Sequence, residues 1–158
     1  MCSRNFIKYL IATAAFGLFF SLTCRGIPEP RTQAIQAEIN PENPLWLRMT
    51  LQSFADTSQS LHKDDLPWGR EDRIILAAVT SEGKNLERFL YIDDPRFGQI
   101  TLKPGQKVSG EIDLTHVFRD LDKIVKETDV HVFWAYKAPE KLNIGGWSGG
   151  WVLIRQQK

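Results

Sequence analysis

The chain has 158 residues, and its 20 lysines and arginines nearly balance its 19 aspartates and glutamates, for a formal net charge of +1. Basic and acidic residues are interspersed along the chain, without the clustered basic face that nucleic-acid binding requires. We therefore discount nucleic acid as a partner. The length suits a single domain with its own apolar core.

The N-terminus carries an uncharged and mostly apolar run, Tyr9–Cys24, directly after the basic residues Arg4 and Lys8. This layout is typical of an export signal. A membrane-spanning helix needs about 20 apolar residues, and this run is shorter, so we favour a signal peptide over residues 1–23 to a retained anchor. We expect an exported protein of the cell envelope or periplasm.

The run ends in Ser-Leu-Thr before Cys24, which resembles the lipobox of bacterial lipoproteins. The leucine stands one position later than usual, and Thr23 is larger than the usual small residue, so ordinary cleavage nearby, for instance after Gly26, stays open. The resemblance implies lipid attachment at Cys24, the membrane as a partner and a bacterial source. The other cysteine, Cys2, lies inside the signal, so the mature chain has no internal disulfide.

Residues 24–44 contain four prolines and few large apolar residues, a composition that predicts a flexible tether. Within it, Thr32–Ile39 is compatible with either a helical turn or an edge strand. The folded domain is then expected at residues 45–158.

Alternation of apolar and polar residues predicts about seven short strands in this domain. The clearest is Leu45–Ser53, whose leucines and methionine share one face. Arg73–Thr80 is apolar on both faces, so we expect a central strand that is covered on both sides. The remaining predicted strands are Leu86–Ile92, Ile100–Lys103, Val108–Leu114, Asp129–Lys137 and Trp151–Arg155.

Turn signals separate these segments. Ser81–Asn85 contains a glycine and predicts a hairpin, and Pro104-Gly105 suits a type II turn because glycine accepts the positive φ that this turn needs. In Thr115–Thr128, apolar residues recur at spacings of three and four, which predicts a short helix with Thr115 as its N-cap. The pattern as a whole predicts an all-β fold, an antiparallel β-sandwich with one short helical insertion.

Two stretches resemble known proteins. The run Leu102-Lys-Pro-Gly-Gln106, followed by Gly110, Ile112 and Leu114, resembles a recurrent run in bacterial secreted immunoglobulin-like domains. The string Leu66-Pro-Trp68 and the late Gly149–Ile154 run look like small exported bacterial proteins of unknown function. The resemblance implies an immunoglobulin-like β-sandwich and brings no catalytic residues with it.

Catalytic signals are weak. Gly146–Gly150 matches G-x-S-x-G, but a nucleophile elbow needs a helix after it and an acid and a histidine later in the chain, and none follow. We interpret this run as a glycine-rich hairpin loop.

Two clusters carry side chains of the kind that bind metals: His62, Asp64 and Asp65, and the pair Asp93 and Asp94. Neither has the spacing of a zinc site or of a calcium-binding EF-hand loop, and solvated turns explain both. We therefore predict no metal and no cofactor.

Five tryptophans are many for this length. We expect Trp134 and Trp151 in the core, and Trp46, on the face opposite the leucines, to cover a second layer. Trp68 and Trp147 fall in predicted loops, where they either contact a protein partner or a sugar ring, or fold back over the ends of the sandwich.

These observations favour a noncatalytic binding module of the bacterial cell envelope, a tethered lipoprotein that contacts a protein partner such as an enzyme or toxin that it restrains. A carbohydrate-binding domain is one alternative, and it requires Trp68 and Trp147 to be exposed and roughly coplanar on one face. A hydrolase is the other, with a site assembled from distant residues such as His62, Asp64, Asp93 and His116.

Overall fold

The computed structural model describes residues 34–70, 73–89, 98–144 and 146–157. The expected signal peptide, Cys24 and the pair Asp93 and Asp94 lie outside the described residues. Within those ranges, no helix is long and apolar enough to cross a membrane.

The described residues form eight strands in three antiparallel sheets, which confirms the expected all-β class. The first sheet has the order β1-β2-β6, the second pairs β3 with β5, and the third has the order β4-β7-β8. The strands are β1 (Ile35–Ile39), β2 (Trp46–Gln52), β3 (Gln59–His62), β4 (Ile74–Thr80), β5 (Gln99–Leu102), β6 (Lys107–Asp113), β7 (Val130–Lys137) and β8 (Trp147–Ile154).

The first sheet is built around β2, the strand that the sequence shows most clearly. Leu47, Met49 and Leu51 are fully buried on one face, as their alternation predicts. Strand β1 pairs with β2 over its whole length, from Ile35 opposite Leu51 to Ile39 opposite Leu47. The prediction of a tether up to residue 44 is therefore wrong for this strand, and the edge-strand alternative for this piece is the correct one.

The third sheet buries one face of β7 in the same way: Val130, Val132, Trp134 and Tyr136 all point into the core. The buried residues of the first and third sheets belong to one continuous hydrophobic cluster. One core therefore holds the described part of the chain together.

Strand β4 differs from its prediction. It is the last strand of its sheet and not a central one, and only one of its faces is covered. Ile74, Leu76 and Ala78 are buried, whereas Ile75 and Ala77 on the opposite face are exposed. An apolar residue pattern on both faces did not mean burial on both faces.

Both predicted turns reverse the chain. Gly83 has a φ of +85°, and Leu86 N–H donates to Ala78 C=O beyond it. Asn85 and Arg88 form isolated bridges, to Val79 and to Phe118, but residues 86–89 do not form the predicted strand, and residues 90–92 lie outside the described ranges. Gly105 has a φ of +72° after β5, and this turn carries the chain from the second sheet into the first.

The predicted helix over 115–128 is two short helices, α1 (Leu114–Val117) and α2 (Leu121–Ile124). They are separated by Phe118, which is buried and extended because it bridges to Arg88. The N-cap of α1 is Asp113, whose carboxylate accepts from Thr115 N–H at 2.9 Å, so Thr115 is the capped residue and not the cap.

The glycine-rich run before Trp151 is also part of a strand. β8 begins at Trp147 and pairs with β7 from Lys137 opposite Trp147 to Val130 opposite Ile154. The hairpin-loop interpretation of Gly146–Gly150 is therefore wrong for all of these residues except Gly146. Ser148 lies within this strand, without the strand-turn-helix geometry of a nucleophile elbow.

Candidate functional site

The face of the third sheet that points away from the core is mostly apolar, and we call it the outer face. Strand register places its residues in rows across the sheet. These rows are Leu153, His131 and Val79; Trp151, Phe133 and Ala77; Gly149, Ala135 and Ile75; and Trp147 beside Lys137.

Four large apolar side chains of the outer face are open to solvent. Trp151 is 59% exposed, Trp147 58%, Ile75 54% and Phe133 45%. Single exposed apolar residues are common on soluble proteins, but a contiguous group marks an interaction surface. The four residues come from three strands, so they form a contiguous group only in the folded protein.

The predicted positions of Trp151 and Trp147 are both wrong, because both residues lie on the outer face. Trp151 is not in the core, because in the register of β8 it falls on the side opposite Val152 and Ile154. Trp147 lies on a strand and not in a loop. Trp134, by contrast, is buried as predicted, with 8% of its side chain exposed.

Two small residues lie between the two exposed tryptophans of the outer face. Trp147 and Trp151 are four residues apart on β8, which separates their Cα atoms by about 13 Å along the strand. Gly149 lies between them on β8, and Ala135 lies opposite it on β7. A Cβ at Gly149 would lie 2.9 Å from the Trp134 carbonyl oxygen, so this position is kept free of a side chain.

The Trp151 ring contacts the ring of His131. Its centroid lies 5.6 Å from that of the His131 ring, with an angle of 49° between the two planes. His131 belongs to the row on the far side of Trp151 from Gly149. This contact therefore draws the Trp151 ring toward His131 and away from Gly149.

The outer face carries one lysine and one histidine. Lys137 lies directly opposite Trp147, and His131 lies beside Trp151. Among the strand positions that form this face, the described part of the chain places no carboxylate. A ligand with negative charge is therefore favoured over one with positive charge.

Trp68, the other tryptophan singled out from the sequence, lies at a different surface. It is partly buried, and its indole ring packs against Gly110 of β6. It also lines a cavity of about 300 Å³ together with Lys63, Leu66, Ile100, Val108 and Ser109. The structure does not bring Trp68 and Trp147 onto one face.

The histidine and aspartate cluster is held by local contacts. His62 Nδ1 lies 3.3 Å from an Asp64 carboxylate oxygen, and Asp65 pairs with Arg73 at 3.2 Å and with Lys141 at 3.8 Å. The backbone carbonyl of Asp65 also accepts from the buried Tyr136 hydroxyl at 2.5 Å. These contacts position the loop between β3 and β4 on the core.

His116 does not join that cluster. Its Nδ1 lies 3.9 Å from Asp113 at the start of α1. In the four described ranges, no group of three or more histidines, cysteines, aspartates or glutamates is placed to hold a metal ion. The proposed hydrolase residues His62, Asp64 and His116 are thus not gathered into one site, and Asp93 lies outside the described residues.

Comparison with protein-family models gives no match, and comparison with curated protein sequences gives none either. The candidate site therefore rests on its geometry. In the sequence, this site is indicated by Arg73–Thr80, which is apolar on both faces, and by the aromatic residues Phe133 and Trp151. Strands of an antiparallel sheet that are apolar on both faces are either covered twice or carry an exposed binding face.

Proposed function

We propose that this chain is a noncatalytic binding module of the bacterial cell envelope that binds a protein partner through its outer face. The observation that carries this proposal is the contiguous exposure of Trp147, Trp151, Phe133 and Ile75 on one sheet. Protein interfaces are enriched in exposed aromatic residues of this kind, and such residues supply most of the binding energy.

Carbohydrate binding is the second candidate, because Trp147 and Trp151 stand exposed on the same face. Stacked sugar rings, however, also need polar side chains to receive their hydroxyl groups. Between the two tryptophans lie a glycine and an alanine, Ile75 and Ala77 follow on β4, and the polar side chains on these strand positions are limited to Lys137 and His131. This chemistry suits an apolar protein side chain better than a sugar.

The proposal also includes the cellular location of the protein and the class of its fold. Export and lipid attachment at Cys24 are supported by the apolar run before this cysteine and by its lipobox-like ending. An immunoglobulin-like sandwich of the first and third sheets is supported by the single core that both sheets share. In this arrangement the outer face points away from the core, where a partner can reach it.

Binding is tested with the tagged full-length protein, expressed in its native host and purified with whatever binds to it. Phe133→Ser removes an exposed aromatic from the outer face, and Phe54→Ser removes one that is 39% exposed elsewhere. We expect quantitative mass spectrometry to show a co-purifying protein that is lost at least tenfold with Phe133→Ser and retained with Phe54→Ser, as for a residue at the centre of an interface. Equal recovery with both variants would contradict the proposal, and retention of glycan alone would favour the second candidate.

Anchoring is tested by the mass and N-terminal sequence of the protein recovered from native membranes, beside a Cys24→Ser variant. A chain that starts at an acylated Cys24, and that is lost in the variant, supports the lipoprotein. A mature chain without a lipid, or an intact Met1, would contradict it.

A further inference from the structure

The cavity beside Trp68 lies where the chain passes from the second sheet into the first. On β5, Ile100 lies opposite the buried Leu61, and on β6, Val108 lies opposite the buried Leu51. Ile100 and Val108 therefore belong to the inner faces of their sheets. The segment after β3 crosses from the second sheet to β6, where it brings Trp68 against the first sheet. The cavity of about 300 Å³ thus lies between two strands and one loop.

The apolar walls of this cavity are less covered than their neighbours on the same faces. Leu61 and Leu51 are fully buried, whereas Ile100, Val108 and Trp68 are only partly buried. Since Ile100 and Val108 share the inner faces with those leucines, the part of each side chain that stays uncovered faces the cavity. The cavity is therefore a gap in the apolar interior.

The loop wall of the cavity is held in place by contacts outside it. The backbone carbonyl of Asp65 accepts a hydrogen bond from the buried hydroxyl of Tyr136, and Leu66 follows directly. The indole ring of Trp68 lies on Gly110, in the space that a Cβ would occupy. Because Leu66 and Trp68 are fixed in this way, the cavity is preformed, as small-molecule sites usually are.

The chemistry of the lining favours an apolar occupant. Four of the six lining residues are apolar, and Trp68 is one of them. The hydroxyl of Ser109 lies 2.8 Å from that of Thr50, on the opposite face of the sheet. Lys63 is the one charged residue of the lining, and its Cε would lie 3.5 Å from a Cβ at Gly98. Water needs two to four polar partners to be held in a cavity, so an apolar molecule gains free energy by replacing it there.

The volume limits the size of this occupant. Small-molecule sites range upward from about 300 Å³, and this cavity lies at the lower end of that range. A flat ring also suits the indole face of Trp68, since aromatic rings attract one another when they stack with an offset.

We infer that this cavity binds a small aromatic ring compound, held between the indole of Trp68 and the side chains of Ile100 and Val108. The site is separate from the outer face. It adds a small-molecule ligand to the protein partner of the proposed function and does not depend on that partner.

The test is a titration of the full-length chain, labelled at its methyl groups and followed by nuclear magnetic resonance. Indole is the aromatic probe and glucose is the polar control. We expect indole to shift the methyl signals of Leu66, Ile100 and Val108 in a saturable way, with a Kd below about 1 mM, as for a fragment-sized ligand. The signals of Ile75 and Val79 on the outer face should stay unchanged, and glucose should shift none of the five.

A filled cavity provides the decisive variant. Val108→Phe should weaken indole binding at least about tenfold, because the new ring takes the space of the ligand. The matched control, Val79→Phe, makes the same change at a half-buried position of the outer face and should leave the Kd within about twofold. The methyl signals of Leu47 in the core report whether each variant is folded. If Val108→Phe does not fold, Ile100→Phe fills the same cavity from the other strand.

Three results would overturn the inference: methyl shifts that do not saturate or that are confined to the outer face, an equal response to glucose, or an unchanged indole affinity in a folded cavity-filling variant. All three leave the proposed function standing, because partner binding by the outer face is measured separately by co-purification.

Discussion

The indole ring of Trp68 lies directly against Gly110, so close that a Cβ on this glycine would overlap three atoms of the ring. Trp68 belongs to the segment that follows β3, and Gly110 lies in the middle of β6, opposite Met49 of β2. The absence of a side chain at Gly110 thus allows a loop tryptophan to pack on the first sheet.

Gly110→Ala should therefore destabilise the protein, even though glycine is normally a poor strand residue. The added methyl group has to displace the Trp68 ring, and overpacking of this kind costs about 1 to 3 kcal/mol. Urea unfolding followed by tryptophan fluorescence measures the change. Ser109→Ala, at the neighbouring position, is the control and should change the free energy of unfolding by less than about 1 kcal/mol; an equal loss in both variants would contradict the packing argument.

Two tryptophans on adjacent strands should respond to substitution in opposite ways. Trp134→Ala empties a buried position and is expected to cost about 3 to 5 kcal/mol of stability. Trp151→Ala removes a side chain that is 59% exposed, and we expect a change of no more than about 0.5 kcal/mol together with loss of partner binding. Thermal unfolding and the co-purification assay check the pair, and a large loss of stability with Trp151→Ala would show that this residue packs on something within the protein.

The Tyr136 hydroxyl makes stability depend on alkaline pH. Burial raises the pKa of Tyr136 well above its ordinary value, and the nearby charge of Asp65 raises it further. Because the pKa is higher in the folded state than in the unfolded state, this contribution is complete below the unfolded value of about 10 and is lost as the pH rises above it.

Unfolding in urea at several pH values tests this dependence, with Tyr136→Phe as the reference. Near neutral pH the variant should be less stable by about 0.5 to 1.5 kcal/mol, because the Asp65 carbonyl loses its donor. Above about pH 10 the difference should shrink as the wild type loses the contribution of its neutral phenol. A difference that stays constant across this range would contradict the assignment.

The cap of α1 can be assigned by comparing two variants. Asp113→Ala removes the carboxylate that accepts from both the amide and the hydroxyl of Thr115, at 2.9 and 2.6 Å. Loss of such a cap typically costs about 0.5 to 2 kcal/mol. Thr115→Ala leaves the amide contact in place and should cost less, and Asp113→Asn should retain most of the stability. A larger loss with Thr115→Ala would restore the sequence-based assignment of Thr115 as the cap.

The local alternation of apolar and polar residues was sufficient to predict the strands that bury one face. The alternation in β2 and β7 identified both strands and the inward-facing residues of each, Met49 and Trp134 among them. In these strands the apolar face and the buried face are the same, so the alternation of apolar and polar residues identifies the buried side chains.

The errors arose where pairing with a distant segment decides the structure. β1 is short and follows a proline-rich stretch, and its strand conformation depends on pairing with β2. Phe118 would fit a continuous helix, but its bridge to Arg88 holds it extended between α1 and α2. Tertiary contacts here override the local helical period.

The candidate site, the outer face, could not be predicted from local sequence for the same reason. Ile75, Phe133 and Trp151 are far apart in the sequence, and each taken alone is compatible with a core position. Only the register of β4, β7 and β8 places them on one exposed surface. Trp68 and Trp147 were predicted to lie in loops, and exposure is easier to predict for a loop than for one face of a strand.

The position of β1 determines what its detachment would uncover. β1 is the first described strand, lies at the edge of its sheet and is held there by antiparallel pairing with β2. Ile35, the first residue of this strand, is buried opposite Leu51. Detachment of β1 would uncover the edge of β2 and the part of the core that contains Ile35, and it would remove the contacts of β1 with β8.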